Sequence, residues 1–123
     1  TKIDHVKIRK NSNLKINTED SVSIIGKTDL VNFFIDLNYF SLYDQRLIIV
    51  NGSNFTLKGD LINNSVEIFK QNRKKLKKYK INKNYTYVEQ HKSLLNNNYL
   101  DACSYKEGAK LMSLFDQIKN FNK

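Results

Sequence analysis

A dense run of positive charge constrains this chain more than any other feature of its sequence. Between Val66 and Lys80 the only acidic residue is Glu67. The same stretch carries seven basic residues, Lys70, Arg73, Lys74, Lys75, Lys77, Lys78 and Lys80. A narrow apolar edge at helical spacing accompanies them, which predicts a strongly basic helix or extension over residues 61–83. Like charges four residues apart on a helix repel each other, and a polyanion would relieve that repulsion.

The charge is concentrated in one half of the chain. The 123 residues carry a formal net charge of +9. Residues 1–60 hold eight Lys or Arg against seven Asp or Glu, whereas residues 61–123 hold thirteen against five. We therefore predict that the second half contacts RNA through the seven basic residues above and Lys83, and that the first half is a scaffold. No membrane contact is predicted, because the basic segment lacks the bulky apolar face that interfacial helices use.

Alternation of polar and apolar residues predicts several short strands. Half-buried strands are expected at Val6–Ile8, Leu14–Ile16 and Val22–Ile24. A hairpin from Arg46 to Lys58 is expected around Asn51-Gly52, since this dipeptide favours a tight turn with positive φ. Tyr85 and Tyr87 predict one more strand, because tyrosine favours the pleated, half-buried surface of a sheet.

Segments with helical periodicity complete the predicted fold. Thr28 is placed to cap a helix that runs to about Phe40. The apolar face of this helix would consist of Leu30, Phe33, Phe34 and Leu37. Ser104 and Glu107 have the spacing of a capping box, which predicts a final helix. The predicted class is α+β, with a small antiparallel sheet, an apolar helix, a basic helix and a C-terminal helix in one domain over residues 1–123.

The sequence shows no recognisable catalytic or metal-binding arrangement, so we predict no enzyme, no cofactor and no small-molecule substrate. Lys27-Thr28 follows a glycine as in a phosphate-binding loop, but Ser21 stands where that loop requires another glycine. His5, His91 and Cys103 are scattered, whereas a structural zinc site needs four ligands at tight spacing. The carboxylates are dispersed, and no two of them stand out as a general acid and base.

The cysteine content and the amino-acid composition predict the cellular compartment. Cys103 is the single cysteine, which fits a reducing environment. The first residues contain no apolar run, so no signal peptide is predicted. Abundant Asn and Lys with no Pro or Trp are typical of an AT-rich genome. The predicted location is the mitochondrial matrix or another organelle, with the cytoplasm as the alternative.

Short motifs occur in a familiar order between Lys27 and Ile62. They are Lys27-Thr28-Asp29-Leu30, Arg46-Leu47-Ile48, Val50-Asn51-Gly52 and Lys58-Gly59-Asp60-Leu61-Ile62. This order resembles a shortened RNA-binding domain of the ribosomal small-subunit protein four family. The resemblance implies a short helical element before the Val-Asn-Gly turn and a strand that closes a small sheet. It also implies contacts with ribosomal RNA by Lys27, Arg46, Asn51 and Lys58.

These observations favour RNA binding by a structural protein of a ribonucleoprotein, best matched by an organellar ribosome. Its partners would be ribosomal RNA and neighbouring proteins of the assembly. One alternative is a viral or phage protein-interaction module that binds no nucleic acid. Another is a fragment of a nucleic-acid enzyme such as a homing endonuclease, which would need a metal-binding pair of acidic residues near the basic face. In that case replacement of Asp60 or Asp101 by Ala should abolish cleavage and leave binding intact.

Overall fold

The chain folds into two antiparallel sheets and two helices, which confirms the predicted α+β class. The structure, a computed structural model, describes residues 1–10, 13–96 and 102–121. It divides into two compact units, each described here by itself. Unit 1 comprises Thr1–Ser41 and Cys103–Lys123, and unit 2 comprises Leu42–Ala102. The assignment of residues 1–123 to one domain stays a prediction.

Unit 1 contains a three-stranded antiparallel sheet in the order β1-β2-β3. Its strands are β1 (Lys2–Arg9), β2 (Ser21–Lys27) and β3 (Asn32–Asn38). The first two confirm the strands predicted at Val6–Ile8 and Val22–Ile24. The predicted strand at Leu14–Ile16 is wrong, since these residues lie in the connection between β1 and β2.

The predicted apolar helix from Thr28 to Phe40 is wrong, because most of this segment forms β3. Its apolar residues fit helical spacing, but they also alternate along the chain and are mostly aromatic or β-branched, which favours a strand. Thr28 does act as a cap, although of a turn. Its Oγ1 accepts hydrogen bonds from the backbone N–H groups of Leu30 and Val31 at 3.3 and 3.2 Å. The hydroxyl therefore closes the hairpin between β2 and β3.

The C-terminal helix α2 (Tyr105–Lys119) confirms the predicted last helix. The capping box is present: the Ser104 backbone N–H donates to Glu107 Oε2 at 2.8 Å, and the Glu107 N–H donates to Ser104 Oγ at 3.3 Å. At its other end, Ile118 joins Val6 and Ile24 in the core of unit 1. Leu114 also packs against this core, whereas Leu111, Met112 and Phe115 of the same helix remain exposed.

Unit 2 contains a four-stranded antiparallel meander in the order β4-β5-β6-β7. Its strands are β4 (Leu47–Asn51), β5 (Thr56–Asp60), β6 (Ser65–Lys70) and β7 (Arg73–Lys78). The first pair confirms the predicted hairpin. The expected positive φ at Asn51-Gly52 is wrong, because neither residue has one. The chain turns instead through a four-residue loop closed by a 2.9 Å hydrogen bond from Gly52 N–H to the Phe55 carbonyl.

The predicted basic helix within residues 61–83 is also wrong, because the segment forms the β6–β7 hairpin. Gln71 and Asn72 connect the strands with φ angles of 44° and 60°. Two consecutive positive φ angles are the geometry of a two-residue hairpin loop, and asparagine tolerates it well. A strand also relieves the charge crowding, since successive side chains point to opposite faces and like charges are divided between them.

The strand predicted at Tyr85 and Tyr87 is wrong, because these residues begin helix α1 (Tyr85–Leu95). The following residues are good helix formers, and Lys92 Nζ pairs with Glu89 Oε1 at 2.8 Å one turn earlier. The helix-forming residues therefore outweigh the strand preference of two tyrosines. Asn84 occupies the N-cap position of α1.

Candidate nucleic-acid interface

Strand β7 contains five of the eight cations predicted in the second half of the chain to contact RNA, and all of its residues are exposed. It forms an edge of the second sheet, with only β6 beside it. Lysine on an edge strand discourages pairing with another strand, because the charge would have to be desolvated. The edge therefore stays open to solvent and to mobile anions.

The register divides the cations of unit 2 between the two faces of the sheet. Residues directly opposite in neighbouring strands share a face. The face that contains Lys75, here called the Lys75 face, also holds Lys77, Arg73 and Lys70. Its remaining strand residues are Ile48, Val50, Leu57, Gly59, Val66 and Ile68. None of these described strand residues is acidic, so four cations stand beside an apolar surface without a counter-charge.

The opposite side of the sheet, here called the Lys74 face, is electrostatically different. Lys74, Lys78 and Lys58 share it with two carboxylates, those of Glu67 and Asp60. Lys74 Nζ lies 3.1 Å from Glu67 Oε2 and 5.3 Å from the centroid of the Phe69 ring. The charge on this face is partly compensated, and Lys74 is already engaged. Among the strand residues of this sheet, the cations that share their face with no carboxylate therefore lie on the Lys75 face.

A shallow, open cleft of about 500 Å³ lies at the end of the sheet where two connections meet. It is lined by residues 52–56, which include the β4–β5 loop, and by residues 69–74 around the β6–β7 turn. Lys70, Arg73 and Lys74 contribute the cations, and Phe55 and Phe69 contribute the aromatic rings. The cleft thus combines positive charge with two aromatic side chains in a concave surface.

The Phe55 ring is held in the cleft by the loop that precedes it. A Cβ atom on residue 52 would lie only 2.4 Å from Phe55 Cε1, so the ring rests directly on the bare backbone of Gly52. At the base of the loop, Thr56 Oγ1 donates to Asn51 Oδ1 at 2.8 Å. Gly52 is needed here for close approach and not for a special backbone angle.

The structure brings some of the predicted contact residues together and separates others. Lys70, Arg73, Lys74, Lys75, Lys77 and Lys78 all lie on the β6–β7 hairpin. Lys80 and Lys83 are exposed in the connection between β7 and α1. Of the residues implied by the resemblance, Arg46 precedes β4, Asn51 ends it, and Lys58 lies on β5 opposite Glu67. Lys27 ends β2 in unit 1.

Two contributors to the cleft, Phe55 and Phe69, were not predicted. Phe69 lies in the segment predicted to be a basic helix, and Phe55 lies in the predicted hairpin from Arg46 to Lys58. The signal that would have found them is the pair of turns. If Asn51-Gly52 and Gln71-Asn72 are both hairpin connections, the aromatic residues next to them lie at one end of the same sheet.

The alternative chemical sites receive no support from the geometry. Asp60 accepts hydrogen bonds from Asn63 Nδ2 at 2.7 Å and from the backbone N–H groups of Asn63 and Ile62. The hydrogen bond from the Asn63 side chain, followed by that from its backbone, lowers the pKa of Asp60 below its usual range. Asp60 therefore caps the β5–β6 turn, and Asp101 lies outside the described residues. Within the described ranges, no three His, Cys, Asp or Glu side chains gather as metal ligands would.

The chain was also compared with known proteins. No family model, no curated protein and no solved structure matches it. Neither helix in the described part of the chain is long and apolar enough to cross a membrane. The membership of the ribosomal small-subunit protein four family stays a prediction, and β3 occupies much of the segment where the resemblance implies a helical element.

Proposed function

We propose that this protein binds RNA through the β6–β7 hairpin, as a structural component of a ribonucleoprotein. The observation that carries the proposal is the Lys75 face, where four cations have no acidic neighbour on the described strands. Like charges concentrated on one face repel each other in the free protein. RNA phosphates would neutralise them and release the condensed counterions, which is the main source of affinity in non-specific nucleic-acid binding.

The arrangement favours contacts with the RNA backbone over reading of base sequence. Lysine is a flexible point charge, and a row of lysines along an exposed strand follows a line of phosphates without selecting a base. Lys75 and Lys77 are two positions apart on one strand, so they project from one side of β7. Ribosomal RNA is the partner that the sequence resemblance implies, and Lys80 and Lys83 would extend the contact beyond the strand.

A comparison of the two faces tests this proposal with matched charge. The Lys75→Gln/Lys77→Gln variant removes two cations from the Lys75 face, and the Lys58→Gln/Lys78→Gln variant removes two from the Lys74 face, neither of which lines the cleft. We expect the first to weaken binding of a labelled RNA about tenfold and the second less than about threefold. Fluorescence anisotropy at a fixed salt concentration measures both. Equal losses would contradict the assignment of the contact to one face, and no binding by the unaltered protein would overturn the function.

A second candidate, a protein-interaction module, is favoured by strand β4. This strand is the other edge of the second sheet, and all five of its residues are exposed although four of them are aliphatic. Exposed apolar edges pair readily with strands of another protein. This candidate predicts a partner whose affinity is nearly independent of salt and is lost when Ile48 or Val50 becomes Lys. Isothermal titration at two salt concentrations, with a partner in hand, distinguishes it from RNA binding.

A further inference from the structure

The structure assigns a ligand to the cleft at the end of the second sheet: we propose that it holds an unpaired base of single-stranded RNA. The base would stack on the Phe55 and Phe69 rings, with Lys70 and Arg73 on the adjoining phosphates. This inference rests on the proposed RNA-binding function and goes further, since it names the form of RNA and the residues that receive a base.

The exposure of the two rings is the first reason. Phe55 is 41% exposed and Phe69 is 36% exposed, and both line the same open cleft. Phenylalanine is a side chain that folding normally buries, so half-exposed rings in one concavity offer a surface to a planar ligand. Lys74 Nζ lies 5.3 Å from the centroid of the Phe69 ring, so a base that stacks on that face of Phe69 would displace this lysine. Stacking on aromatic side chains is how proteins bind unpaired bases without regard to sequence.

The fixed position of the Phe55 ring is the second reason. The ring lies against Gly52, where any Cβ would clash with three of its carbon atoms at 2.4 to 2.9 Å. One side of Phe55 is therefore supported by the loop, which leaves the remainder for contact with a ligand. A supported ring loses little conformational freedom when a base stacks on it, so more of the stacking free energy contributes to affinity.

The polar lining is the third reason. Asn54, Gln71 and Asn72 line the cleft. Within the part of the chain that the structure describes, their side-chain amides make no hydrogen bond to protein. Each amide offers both donors and an acceptor, which suits the mixed hydrogen-bonding edge of a base. They would add polar contacts at the rim of the stacked rings.

The placement of the cations is the fourth reason and connects the cleft to the Lys75 face. Lys70 and Arg73 lie opposite each other beside the turn, and both line the cleft. They also belong to the Lys75 face, where Lys75 and Lys77 continue along β7, whereas Phe69 and Lys74 line the cleft from the Lys74 face. A single strand of RNA that follows these cations would therefore reach the cleft. Duplex RNA would not fill it, because paired bases are stacked inside the helix and unavailable to the rings.

Replacement of the rings tests the inference. Phe55→Leu and Phe69→Leu keep an apolar side chain but remove the stacking surface, and Phe34→Leu, at a 66% exposed ring in unit 1, is the control. The probes are a short oligouridylate of roughly ten nucleotides, within the usual site sizes, and an RNA duplex of similar length. We expect each cleft variant to bind the oligouridylate about tenfold more weakly and the duplex unchanged, with no effect of the control.

Two further readouts keep the test decisive if a variant is unstable. The unaltered protein should change the fluorescence of 2-aminopurine in a single-stranded oligonucleotide, since this base reports stacking directly, and an unchanged signal would contradict the inference. If the cleft variants lose the same affinity for duplex and single-stranded RNA, or lose none, the cleft is not a base-binding site, although the proposal of RNA binding would stand. If uridine monophosphate displaces the oligouridylate when both are present at the same concentration, the cleft binds free nucleotides and the inference is wrong. Failure of the unaltered protein to bind either RNA would overturn both proposals.

Discussion

The Phe55 ring rests on the backbone of Gly52 so closely that a Cβ on residue 52 would come within 2.4 Å of the ring. The relationship links a loop residue without a side chain to the aromatic surface of the cleft. It also explains a glycine that has no need of positive φ. A side chain at residue 52 would therefore displace the Phe55 ring, although the backbone angles of residue 52 suit any amino acid.

Gly52→Ala should destabilise unit 2 even though its backbone conformation suits alanine. We expect a loss of about 1 kcal/mol in the free energy of unfolding, because the ring must shift to admit the methyl group. Gly59→Ala is the matched control, since its Cβ would meet only the Ile48 carbonyl oxygen at 3.8 Å. The free energy of unfolding of that variant should be unchanged or higher by up to about 1 kcal/mol, because alanine makes the unfolded chain less flexible. Urea unfolding followed by circular dichroism measures both, and equal behaviour of the two would contradict the role of Gly52.

The β6–β7 turn should discriminate among side chains at Gln71, whose φ is 44°. Asparagine tolerates the left-handed region better than glutamine, so Gln71→Asn should raise the free energy of unfolding by about 0.5 kcal/mol. Gln71→Val places a β-branched side chain there and should lower it by about 1–2 kcal/mol. Thermal unfolding of the two variants checks the order. A more stable valine variant would show that this segment is not the hairpin described here.

The capping box of α2 should make part of the stability of unit 1 depend on pH. The hydrogen bond from the Ser104 hydroxyl, followed by that from the Ser104 backbone, lowers the pKa of Glu107. Because the pKa of Glu107 is lower in the folded protein, its carboxylate stabilises the fold fully at any pH above the pKa of the unfolded chain. This stabilisation is lost as the pH falls through the pKa of the folded protein. Removing the cap with Ser104→Ala should cost about 1 kcal/mol at neutral pH.

Unfolding of the Ser104→Ala variant and the unaltered protein between neutral pH and about pH 3 tests this linkage, since glutamate ordinarily titrates near 4.3. The difference between the two proteins should shrink in the acid part of the range. A difference that stays constant across the range would contradict a charge-dependent cap. Ser113→Ala, within the same helix and away from its N-terminus, is the control and should show no such trend.

Strand β4 should make the protein prone to self-association. It is an edge strand without a charged residue, and Ile49 is 57% exposed. Ile49→Lys adds the charge that natural edge strands use against pairing, so it should reduce aggregation without changing the fold. Val31→Lys, at a turn residue of unit 1 that is 56% exposed, is the control for added charge alone. Light scattering during incubation at raised concentration compares them, and an equal effect of both substitutions would contradict a specific role of the edge.

The sequence predicted the elements in which local and tertiary signals agree. The strands around Val6 and Val22, the β4–β5 hairpin and the capped helix α2 each have one dominant pattern. Residues 28–40 satisfied helical and strand spacing together, and pairing with β2 decided between them. At Gln71-Asn72 asparagine is a common turn residue but no glycine accompanies it, so charge and apolar spacing favour one helix over two strands.

The composition of the candidate site was easier to predict than its geometry. The cations from Lys70 to Lys78 followed from charge alone, because a run of lysines is exposed in any secondary structure. Their division between two faces, and the cleft with Phe55 and Phe69, depend on strand register and on the meeting of two loops. Register is a tertiary property, and shifting it by one residue would exchange the faces.

The salt dependence of RNA binding tests the central claim most directly. For single-stranded RNA the logarithm of the binding constant should fall linearly with the logarithm of salt concentration, with a slope of roughly −0.7 for each phosphate contacted. Four cations on the Lys75 face predict a slope of about −3, and the Lys75→Gln/Lys77→Gln variant should be shallower by about 1.4. A slope near zero for the unaltered protein, or an unchanged slope in the variant, would contradict RNA binding by the Lys75 face.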